Sequence, residues 1–205
     1  VRASGDYLAR VGGGGSGWLA RYWGVWRHFY CFGQILLDRV AIMSGSAGRF
    51  RIDLQGEENL RGALAGGKGL LVLTAHCGNW EAAGHLLRRL SVPVNVVAYE
   101  GEAQQIRRLF DRALTDRSFS LILADGSADT GVAITAALSR GEIVAMHGDR
   151  TVGSRGLVVP FLNSPARFPV GPYAVAAVTG APLIHAFAMR EGIYRYRFFA
   201  YPPER

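Results

Sequence analysis

The chain has 205 residues, 49% hydrophobic and 19% charged, which is enough for one domain with a sizeable core and too apolar for general disorder. Its 27 glycines and eight prolines are scattered, which excludes a collagen-like chain. Two cysteines exclude a disulfide scaffold and suit a reducing compartment or plain thiol packing, and no apolar run of about 18 residues marks an ordinary membrane-spanning helix. The formal charge is +7, from 23 cations and 16 anions, so anionic partners are favoured: nucleic acid, membrane headgroups or an acidic carrier protein.

All the cations but Lys68 are arginines. Guanidinium forks suit phosphate and carboxylate, although genome base composition produces the same bias. Residues 1–17 end in Gly12-Gly13-Gly14-Gly15-Ser16-Gly17 and read as a flexible tail. Residues 18–49 form a separate helical segment. It carries Trp18, Trp23 and Trp26, with Tyr22, Phe29, Tyr30 and Phe32, and Arg21, Arg27 and His28 interspersed. This aromatic amphipathic helix is too polar to span a bilayer. Its pattern suits a helix lying in the headgroup zone; a helix packed on the core carries similar residues, and the two readings coexist.

Residues 50–205 form the main domain, in which strands and helices alternate. Leu70–Thr74 is a short apolar run, predicted as a buried strand, followed by a helix from Asn79 with Ala83, Leu86, Leu87 and Leu90 on one face. Strands are predicted at Val94–Ala98, Ser120–Leu123, Glu142–Met146, Leu157–Val159, Pro182–Met189 and Tyr194–Tyr201. Helices are predicted around Ile106–Leu114, Val132–Leu138 and Pro169–Val178. The fold class is therefore α/β: a mixed, largely parallel central sheet flanked by helices, with the N-terminal aromatic helix appended. Ligands of such sheets bind beyond the carboxyl ends of the strands, so the loops after Thr74, Met146 and Val159 are where chemistry is expected.

The stretch Thr74-Ala75-His76-Cys77-Gly78-Asn79-Trp80-Glu81 is the most informative. His76 falls just past a strand end, Gly78 permits a sharp turn, and Asn79 is a good N-cap. Glu81 then sits in the first helical turn, where a carboxylate is favoured. If the turn folds the His76 ring towards Glu81, the carboxylate fixes the tautomer and leaves the other nitrogen as a base. A substrate that brings its own hydroxyl needs no protein nucleophile. A His and a Glu five apart also arise by chance, in purely structural roles. The loop Met146–Gly156 contains Gly148, Asp149, Arg150 and Arg155 and offers N–H groups and guanidinium forks to an anionic substrate. A surface turn with solvated charges has the same composition.

Other constellations are weaker. Cys77 beside His76 raises a Cys/His thioesterase or hydrolase, but a free cysteine is commonly a small hydrophobe. The five histidines include no closely spaced pair, so no metal is expected. Gly62–Lys68 has the G-x4-G-K spacing of a phosphate loop, but Gly69 stands where Ser or Thr is needed and the segment precedes a strand. It reads as a helix end and a turn leading into the strand. A non-enzymatic module binding anionic lipid or nucleic acid is the remaining alternative. The tryptophans cluster among apolar neighbours, which suits lipid better than bases, so nucleic acid is not expected.

With these residues in place, the span from about Glu57 to Tyr201 resembles the bacterial lipid A biosynthesis (late) acyltransferase branch of the glycerolipid and lysophospholipid acyltransferase superfamily. His76–Glu81 matches its H-x4-[D/E] motif. Gly67-Lys68-Gly69, Gly141-Glu142-Ile143-Val144, Gly148-Asp149-Arg150, Val159-Pro160-Phe161 and Thr179–Ile184 follow in the family's order. The resemblance implies transfer of an acyl chain from a thioester of acyl carrier protein or coenzyme A to a hydroxyl of a lipid or glycolipid acceptor, with no cofactor. It implies His76 as base, Glu81 as its acid partner, and Gly148–Arg150 as substrate-binding; Asn79 and Arg155 are further expected substrate contacts. Together with the aromatic helix it implies a peripheral enzyme on the cytoplasmic face of the bacterial inner membrane. Two departures stand out: the aromatic and arginine-rich N-terminal segment where relatives are strongly hydrophobic, and an end at Pro202-Pro203-Glu204-Arg205 where relatives continue with a further helix, as expected of a shortened piece.

Overall fold

The computed structural model describes residues 2–12, 17–79, 87–99, 119–125, 127–151 and 156–204. The helices expected from Asn79 onward and around Ile106–Leu114 lie largely outside them. Two helices open the chain: α1 (Arg2–Val11) and α2 (Trp18–Ala41). The main domain then runs β1 (Arg51–Gln55), α3 (Glu57–Leu64), β2 (Leu70–Thr74), β3 (Val94–Tyr99), β4 (Ser120–Ala124), α4 (Ala128–Ser139), β5 (Ile143–His147), β6 (Leu157–Phe161), β7 (Ser164–Phe168), α5 (Gly171–Thr179), β8 (Leu183–Gly192) and β9 (Arg195–Ala200).

Seven strands form one sheet in the order β1-β9-β8-β2-β5-β3-β4. Among the described strands of this sheet, β8 and β9 are the one antiparallel pair of neighbours; the others run parallel. The sheet is thus mixed and largely parallel, flanked by helices, with the expected N-terminal helix in place. Its centre shows why the apolar runs mark strands. Leu70, Leu71, Val72 and Leu73 are all buried because both faces of a parallel sheet are covered. Alternation sends Leu70 and Val72 towards Leu60, Leu87 and Phe198 on one face. It sends Leu71 and Leu73 towards Ile134, Ala137 and Leu138 of α4, with Val175 and Ala176 of α5, on the other.

Three details depart from the sequence reading. Residues 2–11, expected within a flexible tail, form α1 and pack on α2: Gly5 lies against the Arg21 guanidinium, and the Tyr7 and His28 rings are 5.8 Å apart. Strand β1 was not predicted, because Arg51, Asp53 and Gln55 alternate with Ile52 and Leu54 on a polar edge. Strand β7 pairs with β6 as a separate two-stranded ribbon, turned by Leu162 and Asn163 at φ +50° and +59°. Pro165 hides that strand from a sequence reading, yet a two-stranded ribbon tolerates it. The G-x4-G-K segment closes α3 and turns into β2, as expected from its context.

The aromatic helix α2 is long and mostly solvent-facing at its start. Trp18, Trp23 and Trp26 are 76%, 62% and 47% exposed, so within this chain they are not core residues. Trp23, Trp26 and Tyr30 stack in a ladder with ring centroids 4.9 and 5.2 Å apart. No described helix is long and apolar enough to cross a membrane. The other end of α2 is anchored: Asp38 is buried and ion-paired to Arg190 of β8, and Ile42, just past the helix, packs with Phe50 and Tyr196.

Candidate active site

The site follows from the register of two parallel strands. Thr74 and His147 are partners at the carboxyl ends of β2 and β5. Each chain then runs two residues further, so His76 and Asp149 emerge opposite one another. The His76 backbone N–H donates to Asp149 Oδ2 at 2.8 Å, and His76 Nδ1 lies 2.9 Å from Asp149 Oδ1. A carboxylate only accepts, so neutral His76 presents Nδ1–H to it and keeps the lone pair on Nε2. Burial pushes the Asp149 carboxyl up, but the hydrogen bonds from His76 prevail and hold it below its ordinary value. The His147 ring stacks on His76, with centroids 4.0 Å apart and planes 20° from parallel, and walls one side of it.

Local backbone chemistry sets the turn between β2 and Asn79. Gly78 has φ +73°, and a Cβ there would meet the Ala188 carbonyl oxygen at 1.9 Å, so only glycine fits between the turn and β8. The next N–H, that of Asn79, donates to the same Ala188 carbonyl at 2.8 Å. Asn79 is 1% exposed, and its amide Nδ2 lies 3.4 Å from Tyr196 Oη. Asn79, expected as a helix cap and substrate contact, is therefore packed inward beneath the turn.

The expected site residues fall into three groups. His76 and Asp149 are brought together, with the Asp149 carboxylate on Nδ1 of the ring. Asp149, predicted as a substrate contact, is hydrogen-bonded to His76. Glu81 and Arg155 lie outside the described residues. Gly148 donates its N–H to Thr74 O at 2.8 Å, so that group is committed to the sheet and not to a phosphate. A Cβ on Gly148 would come within 2.9 Å of the Leu73 side chain. Arg150 is exposed one residue beyond Asp149, on the rim of the site.

Below the rim is an apolar cavity, lined by Val72, Leu87, Val96, Ala145, Ala186 and Phe198, with Thr74 and His147 at its polar end. The sequence reading did not foresee it, since its walls come from separate strands. Cys77 is exposed. Desolvation and then the negative charge of Asp149 push its thiol above the ordinary value, away from the thiolate that a cysteine nucleophile requires. The arrangement offers a histidine oriented through Nδ1 by a carboxylate, an arginine at the rim and an apolar cavity nearby.

The family model for bacterial lipid A biosynthesis acyltransferases matches residues 26–205. Phosphatidylinositol mannoside acyltransferase of Mycobacterium tuberculosis (strain ATCC 25618 / H37Rv) is 28% identical over 138 residues, covering 67% of this chain and 44% of that protein. The protein of the same name from Mycolicibacterium smegmatis (strain ATCC 700084 / mc(2)155) is 26% identical over 143 residues, 69% of this chain and 47% of its own length. The chain thus spans less than half the length of these curated relatives.

Proposed function

We propose an acyl-transfer function from one premise: the chain belongs to the bacterial lipid A biosynthesis acyltransferase family. The observation that carries the reading is the two-point contact between His76 and Asp149 at the ends of β2 and β5. The reaction moves a fatty acyl group from a thioester, on acyl carrier protein or coenzyme A, to a hydroxyl of a lipid or glycolipid. No cofactor takes part.

In this mechanism the acceptor oxygen attacks the thioester carbonyl while its proton passes to Nε2 of neutral His76. The tetrahedral intermediate collapses by breaking the C–S bond. The electron pair leaves with sulfur, which takes the proton back from the imidazolium as the free thiol. The products are an ester and a thiol, and His76 is neutral again. Asp149 keeps Nδ1–H in place and stabilises the imidazolium between the two steps. Glu81 is the acidic member of the H-x4-E motif, and the family resemblance gives it the role of acid partner to His76.

The remaining features support particular parts of the reading. Arg150, with Arg155 five residues on in the sequence, supplies guanidinium groups for phosphate on the donor or acceptor. The apolar cavity beside His147 suits the first carbons of an acyl chain. The exposed ladder of Trp23, Trp26 and Tyr30, with Arg21 and Arg27 on the same helix, suits docking at an anionic surface on the cytoplasmic face of the bacterial inner membrane. The test is direct. The full-length protein is incubated with acyl-coenzyme A or acyl carrier protein thioester and lipid extract, and products are read by mass spectrometry. A mass gain equal to one acyl group is expected with wild type and is lost on His76→Ala, with a rate fall of roughly 10²–10⁴. A folded His76→Ala variant within threefold of wild type removes the mechanism.

A further inference from the structure

A buried chain of polar groups runs from the His76 turn to helix α2. Asn79 Nδ2 donates to Tyr196 Oη on β9 at 3.4 Å, and that hydroxyl donates to Asp38 Oδ2 on α2 at 2.8 Å. Arg190 of β8 donates from Nε to the same Asp38 oxygen at 3.0 Å and from Nη1 to Gln34 Oε1 at 2.9 Å. Asn79, Tyr196 and Asp38 are 1%, 0% and 8% exposed. Burying these groups costs free energy unless each is satisfied, so the chain holds its geometry only when its members sit together. Burial also pushes the Tyr196 phenol up to about 12, so its proton stays on the oxygen and remains available to Asp38.

None of these residues takes a proton or contacts substrate in the proposed mechanism. What they share is the turn. Asn79 follows Gly78, which is clamped on Ala188, and His76 lies three residues before Asn79. A backbone bond to Ala188 fixes the height of the turn. The hydrogen bond from the Asn79 side-chain amide ties the turn to Tyr196 Oη. Displacing the turn would move the His76 ring relative to Asp149, which is held separately by β5.

We propose that Asn79, Tyr196 and Asp38 are positioning residues that transmit the seating of α2 to the turn carrying His76. This rests on His76 being the base of the proposed reaction. It makes the lower part of α2 a member of the active-site support, as well as the continuation of the exposed aromatic segment.

The test uses the full-length protein with Tyr196→Phe, Asp38→Asn and the double variant. Tyr196→Phe removes one oxygen and leaves the ring in its packing; Asp38→Asn keeps the shape and removes the charge. Each is expected to lower kcat about tenfold with KM within twofold, and the double variant is expected to be no slower than the worse single one, because both break one chain. Two readouts need no turnover. The Asn79 amide should exchange its hydrogen faster in both variants, and the Nδ1–H resonance of His76 should shift or broaden. Unchanged kcat in folded Tyr196→Phe overturns the proposal, as do an effect on KM alone or multiplying losses in the double variant. If Tyr196→Phe does not fold, Asp38→Asn carries the same readouts. If wild type transfers no acyl group, the functional reading fails, and the exchange and ring spectra still decide whether the relay holds the turn.

Discussion

Replacing Asp149 with asparagine changes one atom and tests the core of the mechanism. The carboxylate accepts from both the backbone N–H and Nδ1 of His76, at 2.8 and 2.9 Å. Asparagine has a single acceptor oxygen. If that oxygen stays on the backbone N–H, its NH₂ group faces Nδ1, and the proton is driven to Nε2, where the base should be. If it turns to Nδ1, two N–H groups oppose each other at the backbone. The charge effect adds to this. A carboxylate about 4 Å from the imidazolium is worth about 4 kcal/mol at an effective dielectric constant near 20, less here because both side chains are about one-third exposed. About 3–4 kcal/mol corresponds to a fall in kcat on the order of 10²–10³, approaching 10⁴ where the wrong tautomer is locked in. The assay is initial-rate release of the donor thiol at saturating acceptor, with circular dichroism to show that the variant is folded. A folded Asp149→Asn protein within threefold of wild-type kcat refutes the orienting role and leaves that role to another carboxylate, Glu81 first.

Other consequences follow from the same geometry. Arg150→Ala removes a guanidinium from the rim and should raise KM for the phosphate-bearing substrate about tenfold, with kcat changed far less; an unchanged KM would make this arginine an ordinary surface charge. The depressed carboxyl of Asp149 also predicts a pH signature in stability. A group lowered on folding contributes above its unfolded value, about 3.9, and loses that contribution as pH falls through the folded value. The difference in denaturation midpoint between wild type and Asp149→Asn should therefore be full at pH 7 and shrink below about pH 4; a constant difference would contradict the assignment. Trp23→Ala with Trp26→Ala should weaken binding to anionic vesicles that persists at 1 M salt, where the Debye length is about 3 Å, while leaving turnover on a soluble short-chain acceptor intact. Equal vesicle binding by this variant would exclude the aromatic ladder as the docking surface.

The architecture was legible where burial is two-sided. Leu70–Thr74 is read correctly to the residue because both faces of a central parallel strand must be apolar, and Val94–Tyr99 and Ile143–His147 follow the same rule within a residue or two. Legibility fails at edges. Strand β1 closes the sheet with Arg51, Asp53 and Gln55 on the strand, and its Asp53 instead takes ion pairs from Arg51 and Arg195. The ribbon β6–β7 lacks a glycine-containing turn and carries prolines on both strands. Helix α1 escaped because the glycine run that follows it dominates the composition, although Gly5, Leu8 and Gly24 make a close contact between α1 and α2.

The site divides along another line. A loop after a strand end, a sharp glycine and a histidine are local facts, and the structure has His76 just past the end of β2. The partner of His76 is not a local fact. Asp149 is 73 residues from His76 in sequence, and the parallel register of β2 and β5 brings its carboxylate to the ring. That register depends on β5 being inserted between β2 and β3, which follows from the path of the crossovers and from no feature of either strand alone. The support beneath Asn79 is less legible still. Asp38, Tyr196 and Arg190 come from an N-terminal helix and two late strands, and only when those strands close the other side of β2 is an acidic residue of the aromatic helix linked, through Tyr196, to Asn79. Exposed tryptophans and a buried aspartate on one helix would be contradictory in an isolated segment. They are reconciled once the upper part of α2 faces outward and its lower part is fastened to the sheet, because one end then meets the surroundings and the other meets the residues that hold His76.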